Sequence, residues 1–338
     1  MLWNKAIIII ILEILISFLL GRILIPYFRK LKTGKFQLYI GDRFKKDGSE
    51  PLFGGIIIAI VFIFGLFLAM GLTNGNQNRK EYFVLMGFGL MLMLIGAIED
   101  YLKDIKKSFV GIKKGYKYII EYCLSLAFLL LLYSLGVKNT DILLPFRLGY
   151  IHFGVVYYPL MALFMVIMIN AVKVNNYFGE DTKNSVDGLC AIGGLIYFLF
   201  FSLYGNLLGD EMLCAVGYVL SAVCMGYLIW GISPSKIYLG ESGALLLGGL
   251  ISGLGILSGL HLVVIFAGFG FLVDGFCSVL NYLIYRKTKK LILKGSSLHS
   301  HFKALKYNDY KIIMIFSLIE IAGGIAGTLF VIYSMKLI

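Results

Sequence analysis

Charged residues are scarce in this sequence, and hydrophobic residues are in excess. Only 15% of the residues are charged, compared with roughly 25% in an average soluble domain, and 59% are hydrophobic. A water-soluble core does not need so much apolar surface, so the composition excludes an ordinary soluble protein. The net charge of +12 does not indicate nucleic-acid binding, because the sequence lacks a basic soluble domain.

Cysteines are few and do not form a framework. Their number, five, is odd, and no pair has the spacing of a zinc site, which excludes both a disulfide scaffold and a zinc-binding module. Internal repeats, low-complexity tracts and long linkers are also missing. We therefore interpret residues 1–338 as a single membrane domain.

Ten apolar stretches divide the chain, most of them near the roughly 20 residues that cross a bilayer as a helix. The first is not followed by a small-residue cleavage site, so we interpret it as a retained span rather than a signal peptide. The eighth looks short, and could be tilted, broken or merged with its neighbour. The sequence predicts an all-α, polytopic integral membrane protein with spans at about 5–27, 52–73, 82–98, 117–136, 154–172, 189–207, 212–231, 244–258, 260–285 and 311–335.

Basic residues are concentrated in alternate connections between these spans. The odd-numbered connections contain 24 of the 31 Lys and Arg residues. Because basic loops remain in the cytoplasm, this predicts an even number of spans in the cell (plasma) membrane, with the N- and C-termini outside. We expect five cytoplasmic loops to form the active-site face, at about 28–51, 99–118, 173–188, 232–243 and 286–311.

Acidic residues occur at the cytoplasmic ends of several spans. Glu99 and Asp100 end the third span, where two adjacent carboxylates either bind Mg²⁺ or form a solvated helix end. Asp187 precedes the sixth span and either caps that helix or holds a polar substrate. Glu241 lies between glycines, where it can join a cation site, and the nearby Tyr238 can stack on a base.

Two of the four histidines, His299 and His301, are separated by one residue in the basic loop before the last span. The neighbouring lysines suit binding of phosphate or pyrophosphate more than metal ligation, and an ordinary interfacial loop is the alternative. A further polar pair, Asp274 and Asn281, shares one face of the ninth span. This pair either locks helices together or lines a groove for lipid.

Five segments, in this order along the chain, resemble motifs of the polyprenyl-phosphate N-acetylhexosamine-1-phosphate transferase family (glycosyl transferase family 4), in particular its phospho-N-acetylmuramoyl-pentapeptide transferase branch. The second segment has Glu-Asp-Tyr-Leu-Lys where the family has Asp-Asp-Tyr-Leu-Lys. The last has His-Ser-His-Phe where the family has three histidines followed by Phe. The resemblance covers nearly the whole chain. The segments are residues 45–55, 99–103, 170–189, 238–244 and 299–302.

The resemblance implies a membrane enzyme that transfers a sugar-1-phosphate from a UDP-sugar to undecaprenyl phosphate and releases UMP, with Mg²⁺ as cofactor. The group transferred would be phospho-N-acetylmuramoyl-pentapeptide or a related phospho-N-acetylhexosamine, for cell-wall (peptidoglycan) or surface-glycan lipid intermediates. The implied partners are the UDP-sugar, undecaprenyl phosphate and the lipid bilayer, without nucleic acid. A homodimer is left open.

The resemblance also implies roles for individual residues. Asp100 would act as base or nucleophile, with Glu99 beside it and His299 and His301 at the donor phosphates or sugar. Glu241 would be the chief Mg²⁺ ligand, assisted by Asp100 and Glu99. The candidates for substrate binding are Asn170, Asn175, Asn184, Asp187 and Tyr238, together with Lys46 and Lys113 as phosphate contacts.

The departures from the family motifs are concentrated in the chemistry. Glu99 and Glu241 stand where the family has Asp, Ser300 replaces the middle histidine, and Asn184 occupies the place of an Asp. The longer Glu side chain moves its oxygens by about 1 Å, a displacement that can cost roughly 10²-fold in rate.

Two alternatives to an active transferase follow. One is a catalytically weakened family member that binds a nucleotide-sugar or lipid phosphate without turnover. The other is an unrelated transporter, which would need charges midway along its spans. The candidate charges for a transporter are Glu13, Glu121 and Glu320.

Overall fold

The computed structural model describes residues 2–30, 50–73, 79–104, 112–145, 148–176 and 185–334. Their helices are α1 Leu2–Lys30, α2 Gly54–Leu72, α3 Arg79–Asp104, α4 Lys114–Ser134, α5 Tyr157–Asn175, α6 Leu189–Leu208, α7 Glu211–Gly231, α8 Gly240–Leu257, α9 His261–Ala267, α10 Phe269–Thr288, α11 Leu298–Ala304 and α12 Asp309–Ser334. Among these residues, nine helices are long and apolar enough to cross a membrane, or up to ten spans if α9 and α10 form one. The predicted all-α polytopic membrane fold is confirmed.

A short hairpin between α4 and α5 is the only β structure in the described part of the chain, and a 3-10 helix, Gly154–Val156, follows it. Strand β1 (Asp141–Leu143) pairs antiparallel with β2 (Tyr150–His152), with Asp141 opposite His152. The imidazole Nδ1 of His152 lies 2.5 Å from Oδ1 of Asp141. Strands of three residues are too short to give a readable alternation of polar and apolar side chains, so the sequence did not predict them.

Helix α8 is the most enclosed helix of the bundle. Within it 94% of the span is buried, and it packs against α2, α3 and α5. Glycines allow this close approach, since a Cβ on Gly248 would lie 2.9 Å from Cα of Ile169 and one on Gly253 would lie 2.6 Å from Cδ1 of Leu85. The helix has 18 residues and is continuous. The short eighth span is therefore neither broken nor merged with its neighbour.

The sequence predicted a single continuous span at 260–285, and this part of the prediction is wrong. The chain forms α9 and α10, which meet at Gly268 with a bend of 78°. A new helix start leaves its first amide groups without partners inside the helix. The carboxylate of Glu320 on α12 accepts a hydrogen bond from one of them, the N–H of Phe271, at 3.1 Å. The acceptor lies far away in sequence, so local periodicity could not reveal the break.

Several helices extend beyond the predicted ends of their spans. Helix α3 continues to Asp104, so Glu99 and Asp100 lie within its last turns instead of at the start of a loop. Helix α8 begins at Gly240, which puts Glu241 in its first turn. Helix α5 continues to Asn175. Glu99, Asp100, Asn175 and Glu241 are thus held at helix ends, where the backbone is fixed by its own hydrogen bonds.

Three carboxylates inside the spans lie at contacts between helices. Glu13 on α1 is fully buried, and Gly65 on α2 leaves the room for its carboxyl group. Glu121 on α4 accepts a hydrogen bond from Nδ2 of Asn170 on α5 at 2.6 Å. Glu121 and Glu320 each accept a hydrogen bond from a neighbouring helix, and Glu13 packs against Gly65 of α2. This arrangement does not favour the transporter alternative, which predicts charges along a pathway.

Candidate active site

Asp100 joins the end of α3 to the start of α8. Its Oδ1 and Oδ2 accept hydrogen bonds from the backbone N–H groups of Glu241 and Ser242, both at 2.9 Å. A carboxylate at this position satisfies unpaired amides and interacts favourably with the positive end of the helix dipole. Only 2% of Asp100 is exposed. Asp100 therefore caps α8 from a different helix and holds Glu241 close to Glu99.

The segment before α8 packs against the start of α2. The N–H of Tyr238 donates to the carbonyl of Pro51, and the N–H of Gly54 donates to the carbonyl of Tyr238, both at 2.9 Å. Gly240 has a φ of +73°, and a Cβ there would collide with the carbonyl of Leu52 and lie 2.6 Å from Oδ2 of Asp100. Because only glycine fits this conformation and this space, α2, α3 and α8 meet at one fixed point.

Three lysines surround Glu99 and Glu241. The Nζ of Lys103 lies 2.7 Å from Oε1 of Glu99 and 3.5 Å from Oε1 of Glu241. The Nζ of Lys117, on α4, pairs with Oε2 of Glu99 and lies 3.0 Å from Oε2 of Glu241. The Nζ of Lys173, on α5, lies 3.5 Å from that same Glu241 oxygen. We call these five residues the lysine–glutamate cluster, to which α3, α4, α5 and α8 all contribute.

The cluster is buried unevenly. The exposed fraction of the side chain is 3% for Lys117, but 25% for Lys103 and 21% for Lys173. Three ammonium groups and two carboxylates leave a net charge of +1. Buried charges persist when they are paired, as here, and the surplus positive charge lies with groups that reach solvent. The cluster therefore favours an anion such as phosphate beside Lys103 and Lys173.

The sequence predicted that Glu99, Asp100 and Glu241 bind Mg²⁺, and the structure brings these three residues together. Each of their carboxylate oxygens already has a partner, an amide for Asp100 and a lysine ammonium for the two glutamates. Mg²⁺ requires oxygen ligands at about 2.0–2.1 Å in near-octahedral geometry. Among the described residues, no group of three or more His, Cys, Asp or Glu side chains could hold a metal ion. The residues present do not fit Mg²⁺ in this arrangement.

A small open cavity lies next to the start of α8, lined by the ends of α5, α6 and α7. Asp187 and Tyr238 line it, and Oδ2 of Asp187 accepts a hydrogen bond from Oγ of Ser235 at 2.9 Å. Asn176 also lines it, and donates from Nδ2 to the carbonyl of Gly240 at 2.9 Å. Burial raises the pKa of Tyr238 to about 12, so its hydroxyl stays neutral and can donate. An aromatic ring, a carboxylate and an amide are groups that can bind a nucleobase.

Asp274 ties the short helix α11 to α10. Its Oδ1 accepts a hydrogen bond from the N–H of His299 at 3.0 Å, and its Oδ2 lies 2.6 Å from Nδ1 of the same histidine. Oδ2 also accepts from Nδ2 of Asn175 at 3.0 Å. This contact favours the tautomer of His299 with its proton on Nδ1. Asn175 and His299 are both buried, so they join α5, α10 and α11 and do not line the open cavity.

Asn281 holds the loop between α10 and α11. Its Oδ1 accepts hydrogen bonds from the N–H groups of Ile292 and Leu293, both at 3.1 Å, and its Nδ2 donates to the carbonyl of Gly295 at 2.9 Å. His301 is half-buried, and its Nδ1 accepts from the N–H of Lys294 at 3.1 Å. These contacts support the interpretation that Asp274 and Asn281 lock neighbouring segments together, and not that they line a groove for lipid.

Ser300, which stands where the family motif has a histidine, caps α11. The N–H of Ser297 donates to Oγ of Ser300 at 2.7 Å, and the N–H of Ser300 donates to Oγ of Ser297 at 3.4 Å. These reciprocal bonds form a capping box at the helix N-terminus. Ser300 is buried, so this substitution has a structural explanation.

The remaining predicted residues lie elsewhere. Asn170 on α5 is engaged with Glu121 and with the carbonyl of Val166, and it does not contact the lysine–glutamate cluster. Lys113 is exposed at the N-cap of α4. Lys46 and Asn184 lie outside the described residues.

Sequence reasoning missed the three lysines of the cluster and the roles of Asn176 and Ser235. One signal was present, because Lys103 follows Glu99 by four residues, the helical spacing of an ion pair. Lys117 and Lys173 come from two other helices and look like ordinary basic ends of spans. Their convergence depends on packing and could not be read from spacing.

Comparison with known proteins gives the family. The sequence profile of glycosyl transferase family 4 matches residues 82–259, which is more than half of the chain. The phospho-N-acetylmuramoyl-pentapeptide-transferase of Staphylococcus carnosus (strain TM300) is 28% identical over 322 residues, covering 94% of this chain and 96% of the relative. Enzymes of the same name from Clostridium perfringens (strain 13 / Type A) and Clostridium botulinum (strain Alaska E43 / Type E3) are 27% and 28% identical, over 94% and 92% of this chain and 96% and 92% of their own lengths. The matched region contains the lysine–glutamate cluster, Asp100 and the cavity, and the chain belongs to glycosyl transferase family 4.

Proposed function

We propose that this protein transfers a sugar-1-phosphate from a UDP-sugar to undecaprenyl phosphate and releases UMP. The group transferred is phospho-N-acetylmuramoyl-pentapeptide or a related phospho-N-acetylhexosamine, for a cell-wall or surface-glycan lipid intermediate. The lysine–glutamate cluster carries the proposal, because its surplus positive charge lies at helix ends beside a cavity suited to a nucleobase. The relatives named as phospho-N-acetylmuramoyl-pentapeptide-transferases support it.

The reaction exchanges one phosphoanhydride bond for another. A phosphate oxygen of undecaprenyl phosphate attacks the phosphorus bonded to the sugar, and a new P–O bond forms. The bond from that phosphorus to the oxygen shared with UMP breaks, and its electron pair leaves with UMP. The products are undecaprenyl diphosphate-linked sugar and UMP. Both reactants are anionic, so positioned positive groups supply most of what the transfer needs.

The contacts suggest how the roles are divided. Lys103 and Lys173 bind the diphosphate of the donor, because they are the more exposed ammonium groups of the cluster. Asp100 is the base or nucleophile closest to the reacting phosphorus. Its two oxygens keep one lone pair each after accepting the amides of α8. His301 contacts the donor phosphate or sugar, and the buried His299 holds α11 in place.

The uridine occupies the cavity beside α8. Tyr238 stacks on the base or donates to it, and Asp187 accepts from the ribose or base, with Ser235 holding its carboxylate in position. Asn176 fixes the cavity to the first turn of α8, so a bound nucleotide directs its phosphates toward Glu241 and the lysines around it.

The site faces the cytoplasm of a cell whose plasma membrane the protein spans. The cluster, the cavity and the α11 segment all lie in or beside the odd-numbered connections, which carry most of the basic residues. A nucleotide-sugar made in the cytosol reaches that face directly, and the polyprenyl phosphate reaches it from the inner leaflet.

Release of UMP by purified protein tests the proposal. A panel of UDP-sugars is offered with undecaprenyl phosphate in detergent or nanodiscs, and UMP is quantified by chromatography. We expect UMP with at least one donor. The variant Lys138→Met removes an exposed lysine near the hairpin and serves as a control with unchanged rate. Absence of UMP with every donor would count against the proposal.

A binding protein without turnover is the second candidate. It is favoured by one observation, the pairing of every carboxylate oxygen of Glu99 and Glu241 with a lysine. Such a protein would bind a UDP-sugar or lipid phosphate with measurable affinity and release no UMP. Calorimetric titration beside the UMP assay separates it from the enzyme.

A further inference from the structure

Two lysine ammonium groups lie where a bridging cation would lie. Glu99 on α3 and Glu241 on α8 each direct one carboxylate oxygen at Lys103 and the other at Lys117. An ion that bridged the two carboxylates would have to occupy the same space. The four oxygens are therefore arranged around protein cations.

The burial of Lys117 makes this arrangement specific. Its side chain is 3% exposed, and a lysine so enclosed persists only if partners compensate its charge. It takes one oxygen from each glutamate, and its neighbour Lys173 shares an oxygen of Glu241. A divalent cation placed between the two glutamates would lie against the ammonium groups of Lys103 and Lys117, which would repel it.

The side chains of Glu99 and Glu241 are long enough to reach lysines on other helices. Both glutamates replace an aspartate of the family motif, and both use the added reach to contact lysines on other helices. Glu241 reaches Lys103 on α3, Lys117 on α4 and Lys173 on α5 from one position at the start of α8. The two substitutions and the two bridging lysines thus form one physical unit.

We propose that the ammonium groups of Lys117 and Lys103 take the place of the divalent cation that the family resemblance implies, so that transfer at this site needs no divalent metal. This inference rests on the proposed function for its activity readout only. Lys117 holds the two glutamates together, and Lys103 with Lys173 presents positive charge to the phosphates.

A measurement of metal binding tests the inference and does not require the protein to be active. Purified protein stripped with EDTA is titrated with Mn²⁺, whose free form is quantified by electron paramagnetic resonance. We expect no saturable site tighter than about 1 mM in the unmodified protein. In Lys117→Met, Oε2 of Glu99 loses its ammonium partner and Oε2 of Glu241 keeps only Lys173, at 3.5 Å, so we expect one new Mn²⁺ site. Lys117→Arg keeps the charge and should gain none.

A saturable Mn²⁺ site in the unmodified protein that Glu241→Gln abolishes would overturn the inference, even if Lys117→Met fails to fold.

The activity readout separates this inference from the function itself. We expect the rate of UMP release in excess EDTA to stay within about twofold of the rate in Mg²⁺. A larger loss that Mg²⁺ restores would overturn the inference and leave the proposed function standing. UMP release in neither buffer would contradict the proposed function, and the Mn²⁺ titration would still decide the inference.

Discussion

Asp100 has two separable tasks in the proposed enzyme, since it caps α8 and lies closest to the reacting phosphate. Asp210 offers a matched comparison, because its Oδ1 accepts hydrogen bonds from the N–H groups of Met212 and Leu213 at the start of α7, away from the cluster. Both are carboxylates on helix N-termini. Only Asp100 is also next to the lysine–glutamate cluster, so a difference between their variants reports on chemistry.

The variant Asp100→Asn should lower the rate of UMP release by at least about 10²-fold, because the amide removes the charge that a base or nucleophile needs. It should also destabilise the protein by about 1–2 kcal/mol, since an amide satisfies the α8 amides poorly. Asp210→Ala, which removes both bonds to the α7 amides, should show a similar loss of stability and keep its activity. UMP assays and thermal unfolding measure the two effects, and an unchanged rate in Asp100→Asn would refute its catalytic role.

Ser300 gives a prediction about the departure from the histidine motif. Ser300→His restores the family residue, but it breaks the capping box and adds volume at a buried position. We expect it to destabilise the protein by about 1–3 kcal/mol and not to raise UMP release. Ser300→Ala, which removes only the cap, should cost about 1 kcal/mol. A gain of activity in Ser300→His would indicate decay from an active ancestor instead.

The helices of this protein differ in how far their sequence predicts them. Apolar runs of about 20 residues indicated the spans because a bilayer demands that length. The bend between α9 and α10 was not predicted, because its acceptor, Glu320, lies on α12. The sequence predicted that Asp100 and Glu241 lie close together. It did not predict the hydrogen bonds from the α8 amides to Asp100, because backbone amides carry no signal in the sequence. Lys117 and Lys173 were missed because their partners are set by packing.

The bend at Gly268 depends on an acceptor from α12, and this gives a prediction. Glu320→Leu leaves the N–H of Phe271 buried without its bond, which should cost about 1–3 kcal/mol. We expect lower thermal stability and slower UMP release, because α10 carries the Asp274 and Asn281 contacts that hold α11. Glu320→Gln keeps an acceptor oxygen and should behave nearly as the unmodified protein. Equal unfolding temperatures for both variants would contradict the role of this cap.

The orientation that we propose for the whole molecule in the membrane rests on its basic loops and can be tested by thiol labelling. The background is Cys123→Ala with Cys277→Ala, which removes the two cysteines that are not buried. Lys138→Cys, near the hairpin, should react with an impermeant maleimide added outside intact cells. Lys113→Cys, at the start of α4, should react only after permeabilisation. The opposite pattern would put the site away from cytosolic nucleotide-sugars and would contradict the proposed function.

The burial of α8 has a consequence for how the protein is made. Its mean hydropathy of 1.4 is the lowest of the nine spans, whereas α2, α3 and α5, which enclose it, have values of 2.8, 2.0 and 2.1. A glycine- and serine-rich helix partitions weakly into lipid on its own. The three enclosing helices precede it in the chain, so they are already in the bilayer when the ribosome delivers α8. Insertion of α8 against these earlier helices brings Glu241 to its lysines, and a nascent chain arrested before residue 240 is embedded in the membrane without an active site.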